Sequence, residues 1–179
     1  MGQPLASPSP SPAELRSNAA FEALLWALSR PGQLRALGGE GAIVEALIDR
    51  ECTVYATDPA VARGAERLGA ALVGAGEADY VFAGALPSTA LLGELKQGSD
   101  LHPEGGATLI LAAGFMAGDR LRLSGPGVDG ALSVTVGGVP AGFWARRTQL
   151  MRYPMGFDIF LCDGAQVMGV PRSTAVEAF

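Results

Sequence analysis

The chain has 179 residues, of which 49% are hydrophobic, so it carries enough apolar surface to build one sizeable core. Thirteen basic and eighteen acidic side chains give a formal net charge of −5, and the basic residues are scattered along the chain, which argues against a nucleic-acid partner. The longest apolar stretch, residues 107–117, is far shorter than the roughly 20 residues that span a bilayer.

Composition also characterises the N-terminal residues and the two cysteines. Residues 1–12 are rich in Pro and Ser and lack the basic and apolar regions of a signal peptide, so we expect a disordered leader before a single domain over residues 13–179. Cys52 and Cys162 lie in apolar, strand-like segments, which predicts two free thiols in a reducing cytoplasm. The sequence contains no CxxC and a single histidine, so we expect no metal site in this chain.

A capped helix is the first predicted element. Ser11 and Glu14 have the spacing of a capping box, and the proline between them suits the first helical position. Apolar residues at i, i+3, i+4 and i+7 then predict the buried face of this helix, namely Phe21, Leu24, Leu25 and Leu28. The motif Ser-Arg-Pro-Gly at residues 29–32 ends the helix.

Strands and helices alternate through the middle of the chain. The predicted strands are 52–56, 80–83 and 108–111, and the predicted helices are 41–49, one that begins after Asp58-Pro59, and 89–96. Residues 120–123 read Arg-Leu-Arg-Leu, which places Arg120 and Arg122 on one face of a strand. A strand at 132–136 and a helix at 141–151 follow. These elements predict an α/β fold with one mixed sheet of about six or seven strands and helices on both sides.

A buried hairpin is predicted near the end of the chain. The run at residues 157–162 is apolar on both faces, and Asp163-Gly164 provides the tight turn to a partner strand at residues 165–170. Asp158 is the one charge inside this run, so it needs a partner, and we expect Arg152 or Arg172 in that role. A structural ion pair is favoured over a substrate-handling carboxylate.

A second group of residues has the composition of an anion site. The turn Gly125-Pro126-Gly127 follows the strand of Arg120 and Arg122, and exposed amides in such a turn can hold a phosphate or phosphonate oxygen. A plain turn between two strands is the simpler interpretation, and the arginines can equally pair with carboxylates or with a partner subunit. The candidate anion-binding or interface residues are Arg120, Arg122, Gly125, Gly127 and Arg172.

Stand-alone catalysis is not indicated by any of these patterns. The sequence shows no nucleophile with its base at a known spacing and no nucleotide-binding loop, and its only lysine, Lys96, closes a short polar segment that does not suit a Schiff base. Trp144 stands beside Arg146-Arg147 in a predicted helix, a composition that suits a protein interface. An assembly or binding role therefore fits better than an independent enzyme.

Five segments in a fixed order resemble one known family over nearly the whole chain. They are residues 28–32 (LSRPG), 105–111 (GGATLIL), 121–128 (LRLSGPGV), 153–158 (YPMGFD) and 170–174 (VPRST). Together they are similar to PhnH, the H subunit of the bacterial carbon–phosphorus lyase core complex. The resemblance implies a fold like the large domain of pyridoxal-phosphate-dependent transferases, without that cofactor. We expect no cofactor in this chain. It supplies no catalytic residue to transfer to this chain.

The resemblance also implies a biochemical setting. The family acts with the G, I and J subunits in phosphonate catabolism, where an alkylphosphonate replaces the adenine of ATP to give a ribose 1-alkylphosphonate 5-triphosphate. Isolated family members are homodimers. The expected role of this chain is thus a structural or substrate-shaping subunit in the cytoplasm. The alternative is a small-molecule binder that recognises phosphonate or a nucleotide through the Arg/Gly-rich strand face.

Overall fold

The computed structural model describes residues 9–179, with four α-helices and ten β-strands over that range. The helices are α1 (Pro12–Ser29), α2 (Glu40–Leu47), α3 (Pro59–Arg67) and α4 (Phe143–Leu150). The strands are β1 (Leu34–Ala36), β2 (Thr53–Ala56), β3 (Ala71–Leu72), β4 (Tyr80–Gly84), β5 (Thr108–Ala112), β6 (Gly114–Ser124), β7 (Leu132–Gly137), β8 (Asp158–Asp163), β9 (Gln166–Val170) and β10 (Ala175–Ala178). Residues 1–8, most of the expected leader, lie outside the described part. No helix within residues 9–179 has the length and apolar character needed to cross a membrane.

The helix starts follow the local sequence signals. Ser11 Oγ accepts a hydrogen bond from the Glu14 amide at 3.3 Å, and the Glu14 carboxylate accepts one from the Ser11 amide at 2.6 Å, so the capping box is confirmed. Asp58 caps α3 by accepting a hydrogen bond from the Ala60 amide at 2.7 Å. The predicted helix over residues 89–96 is wrong, because this segment forms only a short 3₁₀ turn at Ala90–Gly93, where a glycine disfavours a longer helix.

A seven-stranded mixed sheet forms the centre of the protein, with the strand order β1-β9-β8-β5-β4-β2-β3. The strands β3, β2, β4, β5 and β8 run parallel, whereas β9 and β1 are antiparallel to their neighbours. The predicted hairpin is confirmed, but its two-residue turn is Gly164-Ala165 rather than Asp163-Gly164, because Asp163 pairs with Gln166 as the last residue of β8. Gly164 has the φ of +56° that the turn needs. Residues 159–162 of β8 are buried, as a strand covered on both faces requires.

The prediction of one single sheet is wrong for the second half of the chain. Strands β6 and β7 form a separate antiparallel sheet with β10, a strand that the sequence pattern did not predict. Leu121 and Leu123 are fully buried while Arg120 and Arg122 are exposed, as their alternation predicted. Strands with such alternation need one solvated face, so they cannot lie inside a sheet that is covered on both sides.

The two faces of the large sheet carry different layers. Helices α1, α2 and α3 cover one face, where their apolar residues share a buried cluster with Phe82, Ile110 and Phe160. The three-stranded sheet and α4 cover the other face. Helices were expected on both sides of the large sheet. They cover the first face, whereas the second face is covered by the three-stranded sheet together with α4.

The buried face of α1 differs from the predicted one. Leu24 is buried together with Ala20 and Ala27, but Phe21 and Leu25 are 51% and 55% exposed. Alanines face the sheet because α1 lies very close to β9: a Cβ added to Gly169 would come within 2.4 Å of the Ala27 carbonyl oxygen. Periodicity identified the apolar side of this helix but not which part of it contacts the core.

Candidate functional site

The recognisable sequence segments meet at the amino edge of the parallel strands, where β4, β5 and β8 begin. The centre of this edge is an ion pair between Asp158, the first residue of β8, and Arg172, which follows β9. Arg172 Nε donates to both carboxylate oxygens at 3.2 and 3.1 Å, and its Nη2 donates to Oδ2 at 2.6 Å. Its backbone amide donates to Oδ1 at 2.8 Å. The predicted pairing of Asp158 is thus confirmed, with Arg172 as the partner.

The other candidate partner, Arg152, lies on the protein surface. Its Nη2 is 3.5 Å from a carboxylate oxygen of Asp100, and about three quarters of each side chain is exposed, 75% and 72% respectively. An exposed pair of this kind is screened by water and contributes little to stability. Arg152 is therefore no part of the buried pair at the amino edge.

The remaining donors of Arg172 are directed into the protein. Nη1 donates to the Pro103 carbonyl oxygen and Nη2 to that of Gly106. No side chain would fit at Gly106, because a Cβ there would lie 2.1 Å from the Gly156 carbonyl oxygen and 2.6 Å from Arg172 Nη1. With its side chain only 15% exposed, Arg172 joins three chain segments through internal contacts. This geometry supports the structural interpretation of the pair.

The glycines of the 125–127 turn are packed against neighbouring backbone. Gly125 has a φ of +123° and Gly127 a φ of +82°, a region that L side chains rarely adopt. A Cβ on Gly125 would lie 2.9 Å from the Ser173 carbonyl oxygen, and one on Gly127 would lie 2.2 Å from the Ser29 carbonyl oxygen. The turn thus contacts the end of α1 and the segment after β9, and both glycines are needed for close packing.

Arg120 and Arg122 lie on the solvent side of the three-stranded sheet. The Arg120 guanidinium stands over the ring of Phe179, 5.0 Å from its centroid. Arg122 is opposite Glu177 on β10 and Ser133 on β7. These two arginines share one exposed face, whereas the Arg172 side chain is engaged inside the protein, so the structure does not combine all three into one anion clamp.

Helix α4 buries Phe143, Trp144 and Arg147 in the interior, which corrects the prediction of an interface at Trp144. Trp144 is 2% exposed and Arg147 is 1% exposed. Arg147 Nη1 donates to the Thr174 carbonyl oxygen at 3.0 Å, and Nη2 donates to the Pro171 carbonyl oxygen at 2.8 Å. Burial lowers the pKa of Arg147 to about 10. No local pattern indicated this buried arginine, because its acceptors are backbone carbonyls 24 and 27 residues away.

A second ion pair at the amino edge was also missed. The Asp79 carboxylate, just before β4, accepts hydrogen bonds from the Lys96 ammonium, from Thr53 Oγ1 at 2.7 Å and from the Thr53 amide at 3.0 Å. Burial alone would raise the pKa of Asp79, but the hydrogen bonds from Lys96 and Thr53 outweigh it and hold that pKa below its ordinary value. The only lysine of the chain is therefore engaged in an ion pair.

The reactive side chains do not form a catalytic group in the described residues. Cys52 and Cys162 are free thiols, as predicted, and burial raises the pKa of Cys162 to about 12, which keeps it protonated. His102 is exposed, with Nδ1 3.0 Å from a carboxylate oxygen of Glu104. Asp163 accepts a hydrogen bond from the Phe115 amide at 3.2 Å. Within residues 9–179, no three His, Cys, Asp or Glu side chains are placed to hold a metal ion.

The hollow between α2 and α3 does not suit an anionic ligand. It has a volume of about 400 Å³, and its lining includes Glu40, Glu45 and Asp58 beside a single cation, Arg67. Burial and the nearby Asp58 carboxylate raise the pKa of Glu40, as expected where like charges approach each other. A phosphonate or triphosphate would meet net negative charge there.

Comparison with known proteins places these features in a family context. The family described as bacterial phosphonate metabolism protein (PhnH) matches residues 11–177. A curated relative from Stutzerimonas stutzeri, the putative C-P lyase subunit protein HtxG, is 32% identical over 175 residues. That alignment covers 90% of this chain and 86% of the relative.

Proposed function

Because the chain belongs to the PhnH family of bacterial phosphonate metabolism proteins, we propose that it is a subunit of a carbon–phosphorus lyase complex. The observation that carries this proposal is the match over residues 11–177, together with a relative named as a C-P lyase subunit. The lack of a nucleophile–base pair or metal cluster in the described residues supports an accessory role rather than independent catalysis.

The finer proposal concerns the reaction and the partners. We propose that the chain acts with G, I and J subunits in the cytoplasm and supports formation of a ribose 1-alkylphosphonate 5-triphosphate from ATP and an alkylphosphonate. Residues 13–179 would act there as one domain, which forms a homodimer when isolated. The similarity in fold to the large domain of pyridoxal-phosphate-dependent transferases stays a prediction. The engagement of Lys96 by Asp79 supports a chain that forms no Schiff base with that cofactor.

Co-purification tests the proposal directly. The tagged chain is expressed with candidate G, I and J subunits, and the product is weighed by native mass spectrometry. A stable assembly that contains all four subunits is expected. A chain that emerges alone, while the other three assemble without it, would contradict the proposal.

A second candidate function rests on the exposed arginine face of the three-stranded sheet. Arg120 and Arg122 make no salt bridge within residues 9–179, so both guanidinium groups are accessible to an anionic ligand. The double substitution of Arg120 and Arg122 by Ala should then weaken binding of ATP or an alkylphosphonate in calorimetry. Arg152→Ala is the control, and an unchanged affinity of the double variant would exclude this site.

A further inference from the structure

The outer face of the three-stranded sheet brings two arginines and two hydroxyl groups together. Arg122 of β6 lies opposite Ser133 of β7, and Arg120 lies opposite Thr135. Because side chains alternate along a strand, all four point away from the core that the leucines of β6 enter. We name these four residues the polar quartet. The sequence indicated only its arginines, because the hydroxyl groups join it through the register of β7 on β6.

Strand geometry sets the spacing within the polar quartet. Arg120 and Arg122 are two residues apart on one strand, which places their Cα atoms about 7 Å apart. The Cβ atoms of residues directly opposite each other on β6 and β7 are separated by about 5 Å. Ser133 is exposed and Thr135 is half-buried, and neither arginine makes a salt bridge within residues 9–179. The quartet therefore presents accessible hydrogen-bond donors over an area of roughly 7 by 5 Å.

Contact with Phe179 holds one of the two guanidinium groups in its own row. Arg120 stands over the ring of Phe179, 5.0 Å from its centroid. A cation–π contact uses the face of the ring and no hydrogen-bond donor, so the N–H groups of Arg120 stay available. Arg122 lies in the other row, between Ser133 on β7 and Glu177 on β10. The two arginines thus offer two separate sets of donors instead of one converged clamp.

The charge around the polar quartet decides which ligand fits. Among the residues that pair with the two arginines on β7 and β10, Glu177 alone carries a negative charge. Asp119 precedes Arg120 in the strand and alternates to the other face. A single phosphonate group meets one guanidinium through two parallel hydrogen bonds. A chain of linked phosphoryl groups is long enough to meet both rows, and it carries negative charge for each arginine.

We propose that the polar quartet binds an anion with at least two linked phosphoryl groups, such as a diphosphate or triphosphate chain. The proposal rests on the second candidate function, binding at the arginine face, and it adds the class of ligand and two further residues. Each arginine holds one phosphoryl group, and Ser133 and Thr135 donate hydrogen bonds from β7. Glu177 repels the same anion, so it lowers the affinity of the site.

Calorimetry of the full chain tests the class of ligand. Tripolyphosphate is compared with methylphosphonate at about 0.15 M salt, where long-range attraction is screened. Tripolyphosphate should bind at least about tenfold more tightly, the factor that one further charge-assisted contact provides. The double variant Ser133→Ala with Thr135→Val should bind it about threefold or more weakly, because two neutral hydrogen bonds are lost. Amide NMR signals of residues 120–123 and 132–136 should shift on addition of tripolyphosphate, which locates the anion.

Removal of the Glu177 charge gives the sharpest readout, because a folding defect does not raise an affinity. Glu177→Gln should tighten tripolyphosphate binding about two- to fivefold, the range of one exposed charge pair. Glu66→Gln is the matched control, since it makes the same change at an exposed side chain of α3, beyond the large sheet. Salt screens a charge at that distance, so the affinity of this control should stay within about 1.5-fold.

The outcomes separate this inference from the functions proposed above. Equal affinities for tripolyphosphate and methylphosphonate, an unchanged affinity in Glu177→Gln, or amide shifts confined to other strands would overturn it. If Arg120→Ala with Arg122→Ala still weakens binding of either anion, the arginine face is a binding site and only the class of ligand is wrong. A wild-type chain that binds neither anion would overturn the second candidate function as well. Assembly with G, I and J subunits is measured separately by co-purification and does not depend on these results.

Discussion

The Asp158–Arg172 pair allows a sharp prediction about stability. Substitution Asp158→Ala leaves the Arg172 guanidinium, 15% exposed, without its carboxylate. Loss of one partner from a buried pair costs about 3–5 kcal/mol, and because the Asp158 side chain is itself 20% exposed, we expect the lower end, about 3 kcal/mol. For a chain of this length that corresponds to a fall in Tm of about 6–12 °C. Urea denaturation followed by circular dichroism at pH 7 measures the free energy of unfolding.

The exposed Arg152–Asp100 pair provides the matched control. Its atoms are 3.5 Å apart and both side chains are mostly exposed, so Arg152→Ala should cost less than about 1 kcal/mol. Asp158→Asn keeps an acceptor oxygen and should fall between the two, which guards against a variant that does not fold. If Asp158→Ala costs no more than Arg152→Ala, the pair does not hold the amino edge together and our structural interpretation of it is refuted.

Three further predictions concern glycine geometry, pH and thiol reactivity. Gly127→Ala should cost more than 2 kcal/mol in urea denaturation, because its Cβ would lie 2.2 Å from a carbonyl oxygen, whereas Gly130→Ala, with nothing within 4 Å, should cost about 1 kcal/mol. The pKa of Asp79 is lowered in the folded protein, so its ionised form stabilises the fold at pH values above the unfolded pKa of about 3.9. This stabilisation is lost as the pH falls through the lower folded pKa. Asp79→Asn should therefore lower the urea midpoint at pH 7 and flatten its decline toward pH 3. Cys52 should react with a thiol reagent before Cys162, whose pKa is raised to about 12 and which should react only on unfolding.

Local signals in the sequence predicted the elements that depend on short-range chemistry. The caps at Ser11 and Asp58 and the hairpin turn that contains Gly164 each use a side chain or backbone conformation that acts within a few residues. A carboxylate in a buried strand needs a cationic partner, and Arg152 and Arg172 were both candidates for Asp158. The sequence therefore limited the partner to two arginines without deciding between them. These features need no knowledge of how distant segments pack.

Features that depend on distant segments could not be predicted in this way. The three-stranded sheet requires β10 to pair with β6, some fifty residues earlier in the chain, and β10 is too short and mixed to stand out as a strand. Arg147 is buried only because two carbonyls from the segment after β9 accept its donors. The apolar side of α1 could be recognised, but the division of that side between core and surface depends on how closely α1 approaches β9.

The contacts at the amino edge explain why the residues that make the family recognisable need not be chemically reactive. Arg147 holds the carbonyls of Pro171 and Thr174, Arg172 holds Asp158 and two further carbonyls, and the 125–127 turn packs against the same segment. The contacts named here are all internal to the protein, so a substitution there would act first on stability. Exposed apolar and cationic side chains lie elsewhere, on α1 and on the outer face of the three-stranded sheet. In the proposed role as a subunit, this division would keep the interior fixed in shape while the exposed surfaces bind.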